Sequence, residues 1–155
     1  MKKLIIILLF LMTIVQITFG QITSDSQSTK TLSWIIENPQ IESDSLFTEK
    51  AAAIFKWQTT NYPNSQMRVK GISEFMDSSK NDRFFAEIVM IYTLSEFINQ
   101  MNKELSKDES SYLAIKNVLV YYNNIIQIES NYNNSILDKY YKLSEEKLKK
   151  RIKRS

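Results

Sequence analysis

Apolar positions recur at helical spacing along most of the chain, and polar or proline-bearing breaks divide them into segments. Leu32, Trp34, Ile35 and Ile36 fall between Thr31 and Glu37 and stop at Asn38-Pro39. A residue before proline is pushed out of the α region, so a short helix ends there. From Asp44, the positions Phe47, Ala51, Ile54, Phe55 and Gln58 follow a second helix, with Ser43, Asp44 and Ser45 as candidate N-caps. That helix closes at Asn61-Tyr62-Pro63, and Pro63 is expected to open a third, carrying Val69, Ile72 and Met76.

After the polar run Asp77 to Asp82, apolar residues cover most of the circumference of a long helix from about Asp82 to Lys103. A helix apolar nearly all round belongs at the centre of a bundle. Lys107 to Ser110 reads as a polar break. A fifth helix over Ser111 to Glu129 carries two stripes, Tyr112, Ile115, Leu119, Tyr122 and Ile126 beside Ala114, Val118, Tyr121, Ile125 and Ile128. The Asn-rich segment Ser130 to Asn134 connects it to a last helix starting near Ser135. No segment alternates with a period of two, and none returns at the period of about 34 residues of a tetratricopeptide array. The expectation is an all-α fold, a single antiparallel helical bundle of about five or six helices.

The ends of the chain have a different composition. Lys2 and Lys3, the apolar run from Leu4 to Met12 and the small residues at Thr18 and Gly20 read as a signal peptide over residues 1–20, cleaved before Gln21. The apolar run is too short for a spanning helix of about 20 apolar residues. No Cys follows it, so lipoprotein processing is excluded. The protein is thus expected to be exported, periplasmic or secreted. Residues 21–30 are polar and rich in Ser and Thr, and are expected to form a disordered leader before a bundle over 31–146.

Composition narrows the chemistry. The 155 residues include no Cys and no His, and only two Gly. Disulfides, thiol nucleophiles, zinc–thiolate and His-based metal sites, and imidazole acid–base catalysis are therefore excluded. Gly20 and Gly71 cannot build a phosphate-cradling loop. A carboxylate-bridged di-metal bundle needs His, and no EF-hand loop is present. Glu87 and Glu96 lie on the most apolar helix but point to opposite faces, and the usual exposure of Glu places them towards solvent. Ser144-Glu145-Glu146-Lys147 matches a Ser-x-x-Lys pattern by chance within a charged run. No cofactor, no metal and no catalytic residue is expected. A carboxylate-dependent enzyme is the weakest of three readings.

Charge is segregated along the chain. From Lys139 to Ser155 eight basic residues face two acids, whereas Gln21 to Asp138 holds ten basic and fifteen acidic residues. The basic C-terminal end of the last helix, residues 147–155, offers Lys147, Lys149, Lys150, Arg151, Lys153 and Arg154 to an anionic membrane or lipopolysaccharide. The sequence apart from this end is not basic, so nucleic acid is not an expected partner. Helical spacing places most tyrosines in the core. Tyr132, in the Asn-rich connector, is expected to be exposed and available for contact. Binding to a protein partner in the cell envelope is the leading expectation, and adsorption to an anionic membrane the alternative.

The signal ending in Phe19-Gly20-Gln21, the early helix ending at Asn38-Pro39, the stretch Ala52 to Pro63 with its Ile54-Phe55-Lys56-Trp57 core, and Tyr121-Tyr122 on a later helix resemble a group of small exported all-helical proteins of Bacteroidetes-type bacteria. The resemblance spans Trp34 to about Tyr141. It implies fold and compartment, with no activity or site residues attached, and this chain departs from the group in its basic end.

Overall fold

A computed structural model describes residues 21–39, 45–66 and 68–154. The expected signal peptide lies outside these residues, as do the candidate caps Ser43 and Asp44. The described chain is all-helical, with seven helices. They are α1 (Asp25–Glu37), α2 (Ser45–Asn61), α3 (Ser73–Ser78), α4 (Phe85–Met101), α5 (Lys107–Ile128), α6 (Ser135–Tyr141) and α7 (Glu145–Arg154).

Helices α4 and α5 form the central antiparallel pair and share the most extensive contact in the molecule. Seven consecutive residues of α4, Ile91 to Phe97, are buried, as an apolar circumference requires. Helix α5 begins earlier than its apolar pattern suggested. Ser106 accepts from the Glu109 amide, and the Glu109 carboxylate accepts in return from the Ser106 amide. This reciprocal capping box turns Lys107 to Ser110 from a break into a first turn.

Helices α1 and α2 pack as an antiparallel pair against this centre. Helix α1 starts at Asp25, capped by Ser24 (3.2 Å to the Gln27 amide). The expected disordered leader is therefore corrected: most of it forms the first turns of α1. Its polar face is anchored by side chains far away in sequence. Trp57 Nε1 donates to Asp25 at 2.9 Å, the Tyr62 hydroxyl donates to the same carboxylate, and Ser28 is fully buried. Lys50 sits over the Trp34 ring at 4.6 Å.

Two further expectations are corrected. Pro63 opens no helix: residues 62–66 and 68–72 lie outside any helix, before the short α3, and Gly71 adopts φ +93°, which helical residues do not. The last helix is two helices, α6 and α7, separated at residues 142–144. The break lets α7 turn onto the bundle, where Leu148 and Ile152 are buried and α7 packs on α5. The basic end is thus an integral helix of the bundle rather than a projecting extension. Among the described residues no helix is long and apolar enough to cross a membrane.

Candidate functional site

The basic residues singled out in the sequence separate into two sets. Arg151 reaches back to α3, where its Nη2 donates to Glu74 Oε1 at 2.6 Å and its Nε to Oε2 at 3.0 Å. Tyr140 donates to the same carboxylate at 3.1 Å, and Lys139 approaches it at 3.4 Å. The Arg151 guanidinium holds the Glu74 carboxyl below its ordinary range against the opposing effect of burial. Lys149 pairs with Glu145 at 2.7 Å and lies 4.7 Å from the Tyr112 ring centroid. Lys147, Lys150, Lys153 and Arg154 remain exposed, opposite the buried Leu148 and Ile152. Of the six cations expected as one contact surface, five are therefore exposed, Lys149 among them although paired along its own helix with Glu145, and Arg151 is committed to the fold.

Tyr132 is not the exposed contact expected from its Asn-rich surroundings. Its ring meets Phe84 edge-on at 4.8 Å and Tyr122 at 5.7 Å. Its hydroxyl donates to Asp82 at 2.8 Å, and burial pushes the phenol's pKa up. Asp82 also accepts from Asn134 Nδ2 at 2.7 Å, and Asn134 caps α6 through the Ile136 and Leu137 amides. The connector is polar because it supplies partners to this junction.

Glu96 reverses the expectation of exposure. It is 0% exposed on the inner face of α4. Its Oε2 accepts from Arg68 at 2.8 Å and Ser110 at 3.1 Å, and Oε1 lies 3.4 Å from the Tyr92 hydroxyl. Oε2 is thus held by two donors, whereas the Tyr92 hydroxyl nearest Oε1 also donates to the Lys70 carbonyl; the ion pair on Oε2 positions Arg68. Glu87 is only partly buried, and one of its oxygens makes no hydrogen bond among the described residues.

Of the surface concavities, two are lined by the central helices α4 or α5, and a third, about 420 Å³, lies between residues 21–23 and α2. The first, about 280 Å³, lies between α5 and the α6–α7 corner and is lined by Tyr112, Lys116, Leu119, Val120, Tyr140, Tyr141, Leu143 and Leu148 among others. Val120 is 47% and Tyr141 59% exposed there. The second, about 490 Å³, is polar and lies where the ends of α2 and α4 meet the irregular segment and the first turn of α5. Val120 had a signal in the sequence, since it falls outside both apolar stripes of α5. Arg68 had none, because only folding brings it to Glu96. Among the described residues no group of acids is placed to hold a metal ion.

Comparison with protein-family models, curated proteins and solved structures returned no match.

Proposed function

We propose that the chain is an exported, non-catalytic helical protein that binds another protein of the cell envelope or the secreted milieu. Its contact surface is the groove between α5 and the α6–α7 corner. The observation that carries this reading is the pair of exposed apolar side chains, Val120 and Tyr141, in a concave wall that shares Tyr112, Leu119, Tyr140 and Leu148 with the core. Tyrosine is among the residues enriched at the energetic centre of protein interfaces, and an aliphatic neighbour adds apolar area around it. The charges at the groove are Lys116 and Glu145 of the lining and Lys149 over Tyr112, which pairs with Glu145, so one net positive charge, that of Lys116, is unpaired there. The occupant that fits is an apolar peptide segment flanked by acidic residues. The test places a photo-crosslinking residue at Val120 or Tyr141 in producing cells, with exposed Lys80 as control. A discrete adduct from the groove positions, absent at Lys80 and weakened by Lys116→Glu, is expected, and its crosslinked peptide should be apolar with acidic neighbours. No adduct, or the same adducts from Lys80, would overturn the reading.

A second reading is supported by the exposed face of α7. Lys147, Lys150, Lys153 and Arg154 form a cationic surface for an anionic membrane. The apolar face of α7 is occupied by the bundle, so adsorption would be electrostatic, without insertion. Co-sedimentation with phosphatidylglycerol-containing vesicles at low salt, lost when all four are replaced by Gln, is the outcome this reading requires.

A further inference from the structure

The second concavity has a construction that neither binding surface above explains. It is bounded by the last residue of α2, the segment after it, the C-terminal turn of α4 and the first turn of α5. Gln100 holds this wall together: its Nε2 donates to the Gln66 carbonyl at 3.1 Å and its Oε1 accepts from the Gln66 amide at 3.3 Å. The volume of about 490 Å³ falls within the range of small-ligand sites, roughly 300–1,000 Å³.

The charges of the lining have one sign. Arg68, Lys103 and Lys107 contribute to it, and no Asp or Glu does. Lys103 and Lys107 form no ion pair among the described residues. Glu96 lies behind the wall, fully buried, and grips Arg68 through Nη2 alone, at 2.8 Å. Ser110 Oγ shares that nitrogen at 3.3 Å. A buried carboxylate is a poor way to gain stability, since its desolvation offsets the attraction of its partner. It is an effective way to fix a guanidinium in one orientation. The Nη1 and Nε positions of Arg68 make no hydrogen bond to the described chain, and the residue lines the cleft. Both paired edges of a guanidinium include Nη2, which Glu96 and Ser110 occupy, so Nη1 and Nε each have a single hydrogen bond to offer a carboxylate.

The remaining polar groups are half-used amides. Asn99 donates to the Ser110 carbonyl at 3.0 Å, which leaves its oxygen, and Asn102 accepts from the Glu104 amide at 3.0 Å, which leaves its nitrogen. Asn64 makes no side-chain hydrogen bond among the described residues. Amide donors and acceptors set side by side match the paired hydroxyls of a sugar, each of which donates and accepts. Tyr62, Pro63 and Leu105 supply the apolar part of the wall.

We propose that this cleft binds an acidic saccharide of the uronic acid class, its carboxylate on Arg68 and the lysines and its hydroxyls on the asparagine amides. The proposal deepens the reading of the chain as a binding protein but uses a surface separate from the groove. The test uses residues 21–155, which carry every described helix, and follows amide and side-chain NMR signals on titration with glucuronate, digalacturonate, glucose and inorganic phosphate. Saturable shifts at Asn64, Asn99, Asn102 and Arg68 with the two uronates are expected, at about millimolar affinity for the monosaccharide. Glucose should bind about tenfold more weakly or not at all. The double variant Lys103→Gln, Lys107→Gln should weaken uronate binding about tenfold with its unfolding midpoint unchanged. Val120→Glu should leave it unchanged, which separates a failure here from a failure of the groove. Equal binding of glucose, phosphate binding without uronate binding, or shifts that map elsewhere would overturn the proposal.

Discussion

Two of the arginine–carboxylate pairs join segments distant in sequence, and they differ in how much water they keep. Glu96 and Arg68 join the irregular segment to α4, with the carboxylate fully buried and the Arg side chain 22% exposed. Glu74 and Arg151 join α7 to α3, with side chains 28% and 32% exposed. The first carboxylate has no access to solvent and depends wholly on its donors. The second shares an Arg fork, a tyrosine and a lysine at a wet edge. The same chemical pair therefore fixes an orientation in one place and fastens a helix in the other.

The largest difference between them should appear when the cation is removed. Arg68→Ala strands a buried carboxylate and is expected to destabilise the fold by roughly 3–5 kcal/mol in denaturant unfolding. Adding Glu96→Gln should recover part of that loss, because a neutral amide needs no counter-charge. If Arg68→Ala proves no more damaging than Arg151→Ala, the contrast in burial has no energetic meaning.

Gly71 lies where the two regions touch. A Cβ there would come within 3.2 Å of Ile152 on α7 and 3.3 Å of Ile115 on α5, at a backbone φ of +93°. Gly71→Ala should therefore cost roughly 2 kcal/mol from left-handed strain and crowding together. Near-neutral behaviour in the same unfolding experiment would show that the junction relaxes freely.

The wet pair should declare itself through pH. Glu74 has a folded pKa below its unfolded value, held there chiefly by the Arg151 hydrogen bond. Its stabilisation is complete above the ordinary carboxylate range and is lost as pH falls through the folded pKa. Glu74→Gln is expected to cost roughly 1–2 kcal/mol at neutral pH, with the difference shrinking as the solution is acidified. An acid-unfolding curve unchanged by the substitution would count against this pair as a source of stability.

The smallest effect on stability belongs to the exposed cations of α7. Replacing Lys147, Lys150, Lys153 and Arg154 with Gln should leave the unfolding midpoint in place and alter only salt-sensitive binding. A marked loss of stability would mean that these side chains hold the helix rather than wait for a partner.

Much of this architecture can be read from apolar spacing. Helix α2, central α4 and most of α5 follow stripes most of whose members are buried where the period places them, as with Ile54, Ile91 and Ile115, whereas Phe55 and Ile128 are exposed. The start of α5 was missed through a local capping box, whereas the leader and the Asn-rich connector are placed by contacts distant in sequence. Ser24 to Lys30 have too little apolar surface to signal a helix, yet Asp25 is held by Trp57 and Tyr62 across the bundle. Tyr132 sits among asparagines, but its exposure was decided by Phe84, Tyr122 and Asp82. Of the groove, Val120 was visible as an apolar residue outside both stripes. The cleft was not, because Arg68, Asn99 and Lys107 belong to no common pattern.

By itself the sequence determined the helical class, the central place of α4, and the absence of thiol and imidazole chemistry, since periodicity and residue type are local properties. Only the tertiary structure decided which charges are spent inside the fold. Pairing depends on distances between residues such as Glu96 and Arg68, or Glu74 and Arg151, that lie far apart along the chain. Burial then settles the outcome: a carboxylate without water must be partnered, whereas a lysine on the outer face of α7 need not be.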